Sequence, residues 1–162
     1  MTWNPATDAW LSGFIDGEGS FLINRQLAPR FHLGIRADDL PVLEQIQAAL
    51  GGSIYVQTQQ GNSKPRVVWS VYTKADLHRL MDYLDEFPPR ARKAADYAIW
   101  RRAVLLLHAK AARGNRYKSG GKAERAEEMA ALREALIAVR RYEELDPDDA
   151  MPADSGIVIV EK

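Results

Sequence analysis

The chain predicts an α+β domain in which a four-stranded antiparallel sheet is covered on one face by helices, with further helices at the C-terminal end. Three observations predict it. Apolar residues recur at helical spacing in residues 8–18, 37–50 and 75–87, and two pairs of short alternating runs, 20–36 and 53–73, fall between them. Gly, Pro or Asn marks the main breaks between these segments. The length, 162 residues, suits one domain with a core of its own.

The first helix is expected over 8–18, with Asp8 as N-cap, Trp10, Leu11, Phe14 and Ile15 at helical spacing, and Gly19 as its stop. SFLINRQL then alternates as a strand. After the break at Ala28-Pro29-Arg30, FHLGIR returns as its antiparallel partner. ADDLPVLEQIQAALGG opens on capping-type Asp38 and Asp39, sets Leu40, Leu43, Ile46 and Leu50 on one face, and ends at Gly51-Gly52. SIYVQTQQ and PRVVWSVYT, joined by GNSK, form a second hairpin. ADLHRLMDYLDEF is an amphipathic helix stopped by Pro88-Pro89. A long helix follows from Arg90 to Arg113, then the basic loop GNRYKSGGK and an exposed helix over 123–145. The order is α-ββ-α-ββ-α-α-α. The domain is expected over 1–145, with its core at 8–113, and residues 146–162 as a loosely ordered tail.

Within the strands, Phe21, Ile23, Ile54, Val56, Val67, Trp69 and Val71 form the set expected to face the helices. The opposite set, Asn24, Gln26, His32, Tyr55, Gln57, Gln59, Arg66, Ser70 and Tyr72, is polar. Such a face suits solvent and suits DNA equally, because these side chains hydrogen-bond base edges in a major groove that admits a β-ribbon.

Composition removes several function classes. Without Cys there is no disulfide, thiolate zinc site or thiol nucleophile, and the three His residues show no metal-ligand spacing. No apolar run approaches 20 residues and the N-terminus is polar, which predicts no membrane partner and an intracellular protein. The excess of 15 Arg over 7 Lys, with abundant Ala, points to a bacterial or phage-host cytoplasm rather than an organelle. Net charge is zero, yet residues 88–122 carry 10 basic groups against one acidic, and residues 123–162 carry 11 acidic against 5 basic. An acidic end therefore cancels a basic middle, which keeps a nucleic-acid partner in play.

The stretch WLSGFIDGEGSF (10–21) carries the chemistry. Gly13 and Gly17 lie four apart with Ser12 alongside, which leaves one helix face nearly bare. Gly inside a helix costs about 1 kcal/mol against Ala, a cost offset when another helix backbone must approach closely. No later segment repeats the pattern, so the simplest partner is the same helix of a second copy in a two-fold homodimer. Ser12, Gly13, Asp16 and Gly17 would lie in that interface. Pairing brings two Glu18 carboxylates together at helix C-terminal ends, where the dipole and the like charge both oppose them. A divalent cation resolves both conflicts, and hard oxygen ligands suit Mg²⁺. Carboxylate, metal and phosphate together suggest phosphodiester hydrolysis. By residue chemistry alone, two acids facing solvent around a Gly-rich turn fit equally well.

Leu11-Ser12-Gly13-Phe14-Ile15-Asp16-Gly17-Glu18-Gly19 resembles the nine-residue motif of the LAGLIDADG homing endonucleases, with Ser for Ala, Phe for Leu and Glu for the last Asp. The strand that follows at Ser20-Phe21, the segment Asp39–Ile46 closing on Gly51-Gly52-Ser53, and Lys93-Ala94-Ala95-Asp96-Tyr97 are similar to further family features. The resemblance covers about residues 8–110. It implies a site-specific double-stranded DNA endonuclease whose single-motif members act as homodimers on pseudo-palindromic sites, with Mg²⁺, Mn²⁺ or Ca²⁺ in one site and no small-molecule cofactor. Glu18 would be the metal-binding acid beside the Gly17 carbonyl, and Asp16 would stabilise the helix ends. Lys93 would polarise a water or steady the phosphate. Where family members often have Gln this chain has Ile35, so Arg36 would supply the polar contact. Base or backbone contacts would come from Asn24, Arg25, Gln26, Arg30, His32, Arg36, Tyr55, Gln57, Gln59, Lys64, Arg66, Ser70 and Tyr72 on or beside the strands. Arg90, Arg92, Arg113, Arg116, Lys118 and Lys122 would add phosphate contacts. The alternative is a non-cleaving descendant, an RNA intron maturase or DNA-binding regulator. Retention of Glu18 and Lys93 favours the enzyme.

Overall fold

The computed structural model describes residue 4 and residues 7–57, 65–112 and 120–140, without the side chains of 108–112 and 120–122. Its elements run α1 (Trp10–Glu18), β1 (Gly19–Ile23), β2 (Pro29–Arg36), α2 (Leu40–Leu50), β3 (Ser53–Gln57), β4 (Arg66–Val71), α3 (Lys74–Glu86), α4 (Lys93–Ala112) and α5 (Gly120–Ala138). The sheet is antiparallel throughout, in the order β1-β2-β4-β3.

One sheet face is packed by the helices. Phe21, Phe31, Leu33, Trp69 and Val71 are fully buried there against Leu11 and Ile15 of α1, Leu43 and Ile46 of α2, Leu77, Leu80 and Leu84 of α3 and Trp100 of α4. Phe21 lies at the centre of an aromatic cluster, 5.1 Å from Phe31 and 5.3 Å from Trp100 between ring centroids. Each buried indole keeps a partner: Trp69 donates to the Gly51 carbonyl and Trp100 to the Arg30 carbonyl, both at 2.8 Å. Gly51 and Gly52 turn out of α2 with φ of 78° and 86°, which a side chain would resist. A satellite core seats α5: Ile23, Ala103, Met129, Leu132 and Leu136 pack together, so α5 lies against α4 and the edge strand β1. Arg101 of α4 grips Asp85 of α3 with two 2.7 Å bonds, and its guanidinium holds the Asp85 carboxyl below the usual carboxylate range.

Several expectations need correction. SFLINRQL is not one strand: β1 ends at Ile23, and 24–28 form a turn in which Leu27 takes φ 57°. Asn24 closes it, its Oδ1 accepting from the Ala28 N–H at 2.9 Å. Pro29 is a strand residue after all, since the first residue of β2 faces the edge strand β1 without needing an N–H there. Neither Asp38 nor Asp39 caps α2 with its side chain; a 3-10 turn over Ala37–Asp39 leads in, and Asp38 pairs with Arg36 instead. Asp8 accepts the Trp10 N–H at 2.8 Å, one position ahead of the actual N-cap, Ala9. Val56 lies on the helix side, opposite buried Val67, yet is 63% exposed, because β3 is an edge strand. The long helix begins at Lys93 rather than Arg90, and Gly120, Gly121 and Lys122 belong to α5 rather than to the loop before it. The tail at 146–162, the end of the last expected helix, and the expected DNA contacts Gln59, Lys64, Arg113, Arg116 and Lys118 lie outside the described residues.

Candidate active site and nucleic-acid face

The C-terminal end of α1 gathers the predicted catalytic groups. Lys93, the first residue of α4, donates from Nζ to the Gly19 carbonyl and, at 3.5 Å, to the Gly17 carbonyl. A cation thus sits on the negative end of the α1 dipole. Asp16 is turned away from that end. Its Oδ2 accepts the backbone N–H groups of Arg90 at 2.7 Å and Ala91 at 3.1 Å, in the loop ahead of α4. Its Oδ1 is buried without a hydrogen-bond partner among the described residues. Glu18 is exposed, and among the described residues no hydrogen bond or ion pair engages its carboxylate. The two acids therefore differ in setting: Asp16 fastens α1 to the α4 approach, and Glu18 stands exposed at the helix end.

Gly19 makes this joint possible through space rather than backbone angle, since its φ is an ordinary −72°. A Cβ there would lie 2.7 Å from the Ile15 carbonyl oxygen and 2.9 Å from the Phe31 ring. Gly19→Ala is therefore expected to destabilise the fold by about 1–3 kcal/mol and to shift the carbonyl that Lys93 holds. Chemical denaturation checks the first effect.

On the α1 surface, a Cβ added at Gly13 or Gly17 would meet nothing within 4 Å, so the bare face is open in the single chain. Ser12 is not part of it. At 7% exposed it is buried, at the edge of a recess that Gly13 and Asp16 share with Glu86, Phe87 and Arg90. Beside the bare face, Trp10 stacks on Phe14 with centroids 4.8 Å apart. These rings wall a cavity of about 600 Å³ that also takes in Glu18, Gly34, Ile35, Arg36, Val42 and Arg66. Arg36 enters this cavity already paired: its Nε donates to Asp38 at 2.9 Å. Ile35 is 8% exposed on the helix side, so it offers no polar atom where the resemblance expects Gln.

A second recess, about 410 Å³, lies on the other side of the α1 end and is lined by Asp16, Gly19, Ser20, Arg92, Lys93, Asp96 and Arg140. Sequence reasoning gives Asp96 and Arg140 no role of their own. Arg140 stands in a run of exposed-helix composition with no local signal, and the only pointer to Asp96 is its place in the stretch around Lys93.

On the sheet face away from the helices, His32, Arg36, Tyr55, Gln57, Arg66 and Ser70 of the predicted base-reading set fall into three rows across the strands. Ser20, His32, Ser70 and Ser53 align across the four strands, as do Gly34, Val68 and Tyr55, and Arg36, Arg66 and Gln57. Arg30 lies over the Tyr72 ring at 5.3 Å, and Arg66 donates to the Gly34 carbonyl at 2.7 Å. Tyr55 and Tyr72 are each 46% exposed, whereas Ser70, on a central strand between His32 and Ser53, is only 5% exposed. Arg25 and Gln26 project from the turn beyond β1. Burial, and then the Arg30 charge, hold the His32 imidazole below its usual value, so it is neutral at pH 7.

Comparison with known proteins bears on the assignment. The family model described as LAGLIDADG endonuclease matches residues 11–104, more than half of the chain. The chain belongs to the LAGLIDADG endonuclease family. This LAGLIDADG chain is 36% identical over 112 residues to the probable intron-encoded endonuclease 3 of Neurospora crassa, covering 62% of the chain and 20% of that relative. It resembles the solved structure of the LAGLIDADG homing endonuclease I-GzeII in complex with DNA target, with a TM-score of 0.61, 24% identity and coverage of 78% and 43% respectively. It also resembles the homing endonuclease I-TnaI, with a TM-score of 0.56, 21% identity and coverage of 86% of this chain and 100% of the other. The structural likenesses establish the fold. The chain spans about a fifth to a third of the length of the curated relatives it matches first. No helix among the described residues is long and apolar enough to cross a membrane.

Proposed function

We propose that two copies of this LAGLIDADG chain pair through the bare faces of α1 and hydrolyse both strands of a long, pseudo-palindromic DNA site. The observation that carries this reading is the division at the end of α1. Lys93 and the Gly17 carbonyl are gathered there, Glu18 points outward unengaged, and the Gly13–Gly17 face is open beside them. I-GzeII, matched over 43% of its length, is a chain about twice the matched span, so one copy here corresponds to about half of such an assembly. I-TnaI, matched over its whole length, is a homing endonuclease of single-domain size.

The donor set suits a hard divalent cation such as Mg²⁺, Mn²⁺ or Ca²⁺: the Glu18 carboxylate and the Gly17 carbonyl are oxygen ligands. Among the described residues of one copy no three His, Asp or Glu gather into a metal cluster. Two-fold pairing supplies the second carboxylate, and DNA phosphate and water supply the remaining oxygens. A cation bound there would neutralise charge building on the scissile phosphate. Lys93, a compact ammonium with three donors, orients a water or a phosphate oxygen at the same point. The outer sheet face, with Arg30, His32, Tyr55, Gln57, Arg66 and Tyr72, lies along the major groove of one half-site and reads base edges, while Arg90 and Arg92 contact phosphates. Such a protein works where DNA is, inside the cell.

The test is incubation of the purified chain and Mg²⁺ with a plasmid library carrying randomised inserts, read by sequencing the linearised products. Recovery of one cut motif with two-fold symmetry is expected. Tight binding to a motif that is never cut would instead select the second reading, a DNA- or RNA-binding descendant. The buried Ile35 is the observation that favours it.

A further inference from the structure

Asp96 lies one helical turn after Lys93 on α4, and the two line the same recess. Its side chain is only 7% exposed, so its charge requires a partner. Arg92 lines the recess as well but donates to the Arg140 carbonyl, which leaves two cations to weigh. One is Lys93, whose ammonium is instead on the Gly17 and Gly19 carbonyls. The other is Arg140, two residues beyond α5, whose Nε donates to Asp96 Oδ2 at 2.9 Å. Arg140 is locked in that pose from both sides: its Nη2 donates to the Phe21 carbonyl of β1, and its own carbonyl accepts from Arg92 at 2.9 Å.

We propose that Arg140 is a positioning residue for Lys93. By occupying the Asp96 carboxylate it prevents the lysine from folding back onto its own helix, and so holds the ammonium at the end of α1 beside Glu18. The fold is arranged to do this, because the α5 core of Met129, Leu132 and Leu136 brings the chain back to β1 just before Arg140. The inference rests on the reading of Lys93 as an active-site group.

Three variants separate this role from simple stabilisation: Arg140→Met, Asp96→Asn and the two combined. Each single change strands one member of a half-buried pair, so thermal unfolding should shift by similar amounts. Cleavage under single turnover, at a temperature where all are folded, should not follow that symmetry. Arg140→Met is expected to slow cleavage by about 10- to 100-fold, the scale of a misplaced catalytic group. Asp96→Asn and the double variant remove the competing carboxylate and should cut within about threefold of the unmodified chain. Equal slowing by both single variants, or no slowing by Arg140→Met, would overturn the proposal. A crystal structure of Arg140→Met decides the point without any activity: Lys93 Nζ on the Asp96 carboxylate supports it. Lys93 still on the Gly17 and Gly19 carbonyls, or Arg92 in place of Arg140, refutes it. Failure of the unmodified chain to cut counts against the proposed function, and the position of Lys93 in that crystal structure then decides the role of Arg140 alone. If Arg140→Met does not fold, Arg140→Gln, which can keep the bond to Phe21, carries the same expectations.

Discussion

Glu18→Gln is expected to lower DNA cleavage by about a thousandfold or more, equivalent to about 4 kcal/mol of transition-state stabilisation, while DNA affinity stays within a few-fold. The amide keeps the size and shape of the carboxylate, but it removes the charge and exchanges one acceptor oxygen for an N–H donor. Hard cations depend on that charge, whereas DNA phosphates are repelled by it, so binding has nothing to lose. Because Glu18 is exposed and unengaged in the chain, stability should change by no more than about 0.5 kcal/mol. Plasmid linearisation in Mg²⁺, paired with an electrophoretic binding assay, reads both effects. Equal cutting by the two proteins would remove Glu18 from the chemistry.

Gly13→Ala combined with Gly17→Ala should make the isolated chain more stable and the assembly weaker. Each added Cβ meets nothing within 4 Å in the single chain. Replacing Gly by Ala within a helix favours the fold by about 0.5–1 kcal/mol at a compatible site. In a two-fold pair the same methyl groups, doubled by symmetry, hold the helix backbones apart. Overpacking of this kind costs about 1–3 kcal/mol per insertion, which is enough to raise the dimer dissociation constant more than a hundredfold. Unfolding at low concentration and light scattering across a concentration series measure the two effects separately. A higher melting temperature with unchanged dimerisation would place the interface elsewhere. The predicted opposition of signs is what makes the experiment informative, because a damaged fold cannot produce it.

Patterns carried by neighbouring residues are legible without coordinates. The order of helices and hairpins follows from apolar spacing and Gly or Pro breaks, because main-chain hydrogen bonding allows only two periods, 3.6 and 2. The spacing of Gly13 and Gly17 likewise announces an open helix face. A local pattern cannot reveal which face a central strand leaves accessible. Ser70 alternates correctly and is nonetheless buried, while Val56 alternates as core and is exposed. Both outcomes depend on the neighbouring strands and helices, which only the sheet order defines. The turn at 24–28 escapes the pattern because Asn24 closes it with a side chain, a competitor to the strand that apolar alternation cannot register.

The sequence by itself determined that α1 would end in an acid-rich, glycine-faced segment. Only the tertiary structure supplied the contacts that distinguish the two acids. Asp16 Oδ2 accepts from backbone N–H groups 74 and 75 residues away, Lys93 donates to carbonyls 74 and 76 residues away, and Asp96 pairs with Arg140, 44 residues away. Helix propensity and hydrophobic period are short-range properties, written in consecutive residues. The pairing of charges is long-range and depends on which surfaces the packed core brings together. At the end of α1 the fold gives Asp16 and Lys93 partners within the chain and leaves Glu18 exposed, with none for its carboxylate among the described residues.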